Sequence, residues 1–453
     1  MKRLICLMSA VAMIASAANA VEAPEKSRSH GGNAVKQELK NHFKFYGFVR
    51  NYFAVDTRES VAGTGDLFYY LPLDVNMNED GSQDLNEQAS FRFLALTTRL
   101  GVDVTGYQIG RTKFGAKVET DFYAGLTNKI NGTAQLRLRQ AYMTIGWDKL
   151  AMGDEGQASV MLKLGQTWHP MAADQPHVTS LETGTPFNAF SRTPMVLMDA
   201  SLGKYFMITA GAIWQMQYLS QGPNGASAEY IKYAGTPEGY VGLTLKTDEG
   251  FLARAGASVL SIKPRTTGEN SNNVTVKVKD RITTVNPYVY LQYRHKTFEV
   301  KAKTIYSQAG EHMNLMGGYG ISDKSFDDGH YEYTPLQTSS TWASLSYGKE
   351  WQVMLMGGYI KNLGAKDDLV NVNGVVDPSD FYFNANGFKN LNSMWRIIPT
   401  VAYNIGKFTL AMEYNYTAAQ YGDGKSYNAK GLSTEGLHWV GNHRVQMMVK
   451  FTF

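Results

Sequence analysis

Val445-Gln446-Met447-Met448-Val449-Lys450-Phe451-Thr452-Phe453 closes the chain. Val445, Met447, Val449, Phe451 and Phe453 are apolar, and the residues between them, Gln446, Met448, Lys450 and Thr452, are mostly polar. Successive side chains of a strand point to opposite faces, so this period of two makes one greasy face and one wet face. A strand with lipid on one side and water on the other has this pattern, and the terminal aromatic suits a membrane interface. The fold class expected from it is all-β: a transmembrane antiparallel β-barrel of about 16 strands, with short periplasmic turns and long extracellular loops.

The other end of the chain agrees with export. Lys2 and Arg3 precede an apolar run from Leu4 to Ala15, and Ala18 and Ala20 frame a small-residue cleavage site, so residues 1–20 read as a signal peptide. The sole cysteine, Cys6, falls inside that segment, which excludes disulfides and thiolate chemistry from the mature chain. Beyond the signal no stretch approaches the roughly 20 apolar residues of a membrane-spanning helix. The 27 Tyr, 21 Phe and 44 Gly, with 19% charged residues, fit a barrel with aromatic girdles. The net charge of +4 selects no partner, and nothing points to nucleic acid.

Alternating stretches recur from Phe43 onward: 43–54, 91–104, 113–123, 134–147, 158–167, 192–200, 204–217, 238–247, 251–263, 282–294, 296–307, 338–348, 350–361, 392–405, 407–418 and 442–453. Tight joins such as Thr247-Asp248-Glu249-Gly250, His295-Lys296, Gly348-Lys349 and Gly406-Lys407 alternate with long connections expected outside the cell. Residues 21–42 read as a periplasmic lead-in and 43–453 as the barrel. Pro287 and Pro399 fall inside strands, and because proline donates no ladder hydrogen bond each is expected at a strand end or bulge.

Charge orients the strands. A Lys or Arg facing lipid near the midplane costs about 2–4 kcal/mol, so charged positions mark the lumen. Lys117, Glu119 and Asp121 alternate with Val118 and Thr120, Arg137 and Arg139 with Leu136 and Leu138, and Lys301 and Lys303 with Val300 and Ala302. The same logic turns Arg99, Lys163, Lys246, Arg254, Arg294, Arg396, Arg444 and Lys450 inward. Basic residues outnumber inward acids, chiefly Asp103, Glu119, Asp121, Glu299 and Glu413, which suggests a cationic ladder that attracts anions; the competing expectation is that these bases pair with lumenal carboxylates.

The connection Trp168 to Ser191 is expected either to fold into the lumen, with Asp174 and Glu182 facing the basic wall, or to stay outside as a solvated loop. His169, His177 and Asp174 match no recognised metal-ligand spacing. Asn76, Asn78, Asp80, Asp84 and Glu87, with Gly81 at the turn, partly match a calcium loop, although position one is Asn and no flanking helices are evident; a solvated or lipopolysaccharide-facing loop is the alternative. No nucleophile, zinc or phosphate-loop motif is present, so an enzyme is not expected.

Phe43-Lys44-Phe45-Tyr46-Gly47-Phe48-Val49-Arg50, Leu136-Arg137-Leu138-Arg139-Gln140-Ala141-Tyr142 and Leu164-Gly165-Gln166-Thr167-Trp168, in this order, resemble the DcaP-like outer-membrane porins. The resemblance implies a homotrimer of sixteen-stranded barrels, passive diffusion, and a preference for small anionic solutes such as dicarboxylates, in the outer membrane of a Gram-negative bacterium. It departs at the N-terminus, where residues 21–42 are too short for the coiled coil that such porins can carry. The expected function is an anion-preferring porin without cofactor, lined by Arg99, Lys117, Arg137, Arg139, Lys163, Arg254, Lys301, Lys303, Arg396 and Arg444. A sugar-selective channel using Tyr288, Tyr290 and Trp395 as stacking platforms, and a surface binding or adhesion barrel, are the alternatives.

Overall fold

In the computed structural model the described residues are 42–64, 67–123, 134–152, 156–383 and 387–453. The signal peptide and nearly all of the 21–42 lead-in lie outside them. Sixteen barrel strands run in chain order: β1 Phe43–Asp56, β2 in two pieces Ser90–Leu94 and Arg99–Ile109, β3 Thr112–Tyr123, β4 Gln135–Met152, β5 Gly156–Trp168, β6 Arg192–Leu202, β7 Phe206–Ile213 and β8 Glu238–Lys246. There follow β9 Phe251–Ile262, β10 Ile282–His295, β11 Phe298–Gln308, β12 Glu332–Gly348, β13 Trp351–Ala365, β14 Leu391–Ile405, β15 Phe408–Tyr421 and β16 His438–Thr452. Each pairs antiparallel with its sequence neighbour, and β1 pairs with β16 to close the cylinder. Closure leaves no unpaired edge along the seam, which a spanning sheet in lipid requires.

The seam shows the alternation of the closing strand. Val49 opposes Phe451 and Val55 opposes Val445 on the exposed face, while Ala54 opposes Gln446 on the buried one. Around the barrel the outward positions are exposed apolar side chains, among them Leu136, Leu138, Val241, Leu243, Val353 and Met412. No described helix is long and apolar enough to cross a membrane.

Both strand prolines stay within their strands. Pro287 opposes Ala257 in β9, and the ladder to β11 begins one residue later at Tyr288; Asn286 Oδ1 accepts the Gln308 backbone N–H at 2.8 Å where that ladder is interrupted. Pro399 opposes Leu355 without a register shift, and the ladder between β14 and β15 skips from Ile397 to Thr400. Each proline removes hydrogen bonds on one side only, so neither ends its strand nor forces a bulge. The stretch expected at 204–217 stops at Ile213, after which Gln215 bonds to Ser220.

The bore is not an open tube. The expectation that the first long connection faces outside fails for its first half: strands Ser60–Gly63 and Phe68–Pro72 form a hairpin within the barrel, while residues 75–89 are largely exposed. Its Leu67, Phe68, Tyr70 and Leu71 join a core that also contains Met171, Phe187 and Phe190 of the 169–191 segment, Met313 and Leu315 of a short turn, and Phe388. Inward strand residues such as Tyr288, Tyr290, Ile305, Trp342 and Ile360 complete it. Glycine makes room for one of these contacts: a Cβ at Gly358 on β13 would lie 2.6 Å from the Phe187 ring. The Gly317-Gly318-Tyr319-Gly320 run packs just as closely. Gly318 has φ +149, and a Cβ there would lie 2.3 Å from the Tyr382 carbonyl oxygen.

Candidate functional site

The 169–191 segment folds into the lumen, held by groups spread around the wall. The Tyr52 hydroxyl donates to the Thr179 carbonyl. Glu413 Oε2 accepts the Thr179 N–H at 2.6 Å and its hydroxyl at 2.7 Å. Lys303 Nζ donates to the Met171 carbonyl and, at 2.9 Å, to Asn188 Oδ1. Lys301 donates to the Gln175 carbonyl, Arg396 to that of Thr185, and Ser340 to that of Phe187. Beyond the single helical turn Pro170–Ala173 the segment has no regular structure, and it needs such partners for its backbone groups once it leaves water.

The two acids of this segment are anchors. Asp174 pairs with Arg254. Glu182, fully buried, lies 3.6 Å from Arg396 and 3.5 Å from Arg444, and it accepts from Asn415. Arg444 also pairs with Asp56 at 2.8 Å and donates to the Tyr69 carbonyl, while Arg396 donates to that of Tyr70. These two arginines therefore hold both inserted segments. Asp174 and Glu182, expected to face the basic wall, make direct ion pairs with it.

Every charged strand position assigned inward by alternation lies on the inward face, but the ten residues expected to line the pore divide into two groups. Arg254, Lys301, Lys303, Arg396 and Arg444 bind the inserted segments, and the last three are buried. Arg99, Lys117, Arg137, Arg139 and Lys163 lie on the neighbouring strands β2 to β5. The ladder is largely paired: Arg137 makes a two-pronged bridge to Asp121 at 2.8 and 2.9 Å, Arg139 reaches Glu119 at 2.9 Å and Asp121 at 2.7 Å, and Arg99 lies 3.7 Å from Glu119. Lys117 pairs with Asp103 at 2.7 Å and donates to the Tyr46 hydroxyl. Lys163 sits over the Tyr142 ring.

A register shift shapes this wall. Glu119 opposes Gln140 whereas Thr120 opposes Leu138, so Arg139 is the extra residue of a bulge. The bulge lets two consecutive side chains, Arg139 and Gln140, both reach Glu119.

A cavity of about 260 Å³ lies between this wall and the inserted segments. Two further arginines complete it. Arg50 donates to the Thr97 hydroxyl at 3.1 Å, and the Arg192 guanidinium stacks 4.9 Å from the Trp168 ring centre. Neither makes an ion pair among the described residues, and Nη1 of Arg192 is buried without an acceptor. The Arg99 Nε is buried in the same condition. Five guanidinium groups thus share two carboxylates, Glu119 and Asp121, an excess of three positive charges. Arg50 and Arg192 were absent from the residues expected to line the pore; the alternation Val49-Arg50-Asn51 would have turned Arg50 inward by the same rule.

The stacking platforms of a sugar channel are not assembled. Tyr288 and Tyr290 are buried in the core and Trp395 is on the outer face. In the first connection Asn78 Oδ1 and Asp80 Oδ1 accept backbone N–H groups of Ser82 and Gln83, Asp84 Oδ1 accepts those of Asn76 and Asn86, and Asp84 pairs with Arg58 at 2.7 Å. The loop oxygens proposed for calcium, with Glu87 at their end, are thus largely turned to local turns, and no described group of three acids or imidazoles is placed to hold a metal ion.

No family model matches the chain, and no curated protein matches it. Among solved structures it is similar to the outer-membrane channel DcaP of Acinetobacter baumannii, with TM-score 0.59 and 18% identity over 91% of this chain and 97% of that one. The barrel fold is that of DcaP. An anion-selective porin from Comamonas acidovorans aligns with TM-score 0.48 and 9% identity over 91% of this chain and 99% of that one. OprB of Pseudomonas putida aligns with TM-score 0.46 and 10% identity over 93% and 97%.

Proposed function

We propose that this chain is an outer-membrane porin through which small hydrophilic anions diffuse down their gradients, without a cofactor and without catalysis. The observation that carries the reading is the cavity with five arginines against two carboxylates beside the inserted segment. In a narrow space bounded by protein, such an excess concentrates anions and repels cations. The long connections other than the inner hairpin and the 169–191 segment would lie outside the cell and the tight turns in the periplasm, the barrel would be in contact with lipid and lipopolysaccharide, and three barrels would associate side by side. The likeness to DcaP supports the fold on which this rests.

Zero-current potentials of the purified protein in planar bilayers under a KCl gradient test the proposal. The expected potential has the sign of chloride preference. A potential of the opposite sign, or no conductance, would overturn it.

A further inference from the structure

The two ends of the 169–191 segment meet in a neck: the His169 N–H donates to the Ser191 carbonyl at 3.0 Å, and the Phe190 N–H donates at 2.7 Å to the Met313 carbonyl of the turn Gly310–Met313. Glu238, at the start of β8, binds both partners of this junction. Its Oε1 lies 3.2 Å from Nε2 of His169 and 3.2 Å from Nε2 of His312, and all three side chains are buried. The two rings differ. His169 Nδ1 accepts the Met171 N–H at 3.1 Å, which places the ring proton on Nε2 toward Glu238, and a second proton would break that cap. His312 is therefore the ring that can carry a charge beside Glu238, which has no lysine or arginine partner among the described residues. The titratable groups around His312 are Glu238 from β8, His169 from the inserted segment and Glu311 from its own turn, with Tyr319 of the short strand Tyr319–Asp323 buried near Glu311.

From this arrangement we infer that His312 is a proton-operated latch on the inserted segment: charged, it compensates Glu238 and holds the neck shut; neutral, it releases the neck and conductance rises. The inference rests on the porin reading and adds its control by pH. Burial alone disfavours the charged ring, but the Glu238 carboxylate, with Glu311 beside it, outweighs burial, so His312 keeps its proton to a higher pH than a free imidazole near 6.5. The contribution of the pair to holding the neck is complete below 6.5 and is lost as pH climbs above it. A neutral ring keeps its hydrogen bond to Glu238 and withdraws the charge, and a buried carboxylate without a counter-charge is costly. Phe190 and Arg192 flank Ser191 at the neck and also line the arginine cavity, so loosening there reaches the ion path.

The test is single-channel conductance of the native protein in planar bilayers from about pH 6 to about pH 9, short of the range in which lysine titrates. Native conductance is expected to rise across this range. His312→Gln keeps a donor for Glu238 without a charge, and is expected to show the high conductance throughout. Glu238→Gln removes the carboxylate that needs the charge, and is expected to lose the rise as well; it serves if the first variant does not fold. A native conductance that stays flat or falls, or a rise that survives in either folded variant, would overturn the inference and leave the porin reading standing. No conductance at any pH would overturn both.

Discussion

Arg396 on β14 donates from Nη1 to the carbonyl of Thr185 across 2.8 Å, so a wall side chain grips the backbone of a segment 211 residues away in sequence. The same guanidinium donates to the Tyr70 carbonyl of the inner hairpin and lies beside buried Glu182. One side chain thus fixes both elements that fill the bore. Removing it leaves buried Glu182 with Arg444 as its one remaining ion-pair partner and strips the Thr185 and Tyr70 carbonyls of their donor, at a cost of about 3–5 kcal/mol. Arg396→Met is therefore expected to destabilise the folded barrel by about that amount and to raise conductance as the segment loosens. Urea unfolding in detergent and single-channel recording check the two effects, and native values in both would contradict the anchoring role.

His177 gives the inserted segment a pH dependence. Its Nε2 lies 3.1 Å from Glu299, yet burial, with Lys301 beside it, outweighs that attraction and pushes the imidazole down to about 4. The folded form binds the proton less well than the unfolded chain, whose histidine titrates near 6.5. The contribution is complete above 6.5 and is lost as pH falls from there toward 4. Protease cleavage of the 169–191 segment, followed against pH, should increase across this window in the native protein and should respond less in His177→Gln. A native profile that stays flat would contradict it.

Gly358 leaves the space that the Phe187 ring occupies. Gly358→Leu is expected to push the ring out of the core, at about 1–3 kcal/mol for overpacking, and to change the conductance without altering barrel closure. Circular dichroism and single-channel current read the two. An unchanged unfolding midpoint would show that the ring moves freely.

Strand count, closure and the inward face were readable because a period of two survives in nearly every span. Leu136-Arg137-Leu138-Arg139 in β4 and Glu299-Val300-Lys301 in β11 declare their faces without any knowledge of neighbours. What fills the lumen was harder to read. Phe68-Tyr69-Tyr70-Leu71 is a short apolar run inside a long connection, and such a run does not say whether it pairs in the wall or folds beneath it. Pairing of the bases was hidden for a related reason. Asp56 stands at the end of a strand and Asp174 and Glu182 on a connection, so a census of strand interiors underestimates the acids that meet the arginines. The bulge at Arg139 depends on the register between β3 and β4, which neither strand encodes alone.

The central claim is that the arginines without ion pairs give the bore its preference for anions. Arg50→Gln combined with Arg192→Gln removes two of the three excess charges and leaves the bridges of Glu119 and Asp121 in place. The zero-current potential of this double variant under a KCl gradient is the most direct measurement: the account predicts a marked shift from the native value toward cations, and a potential equal to the native one would contradict it.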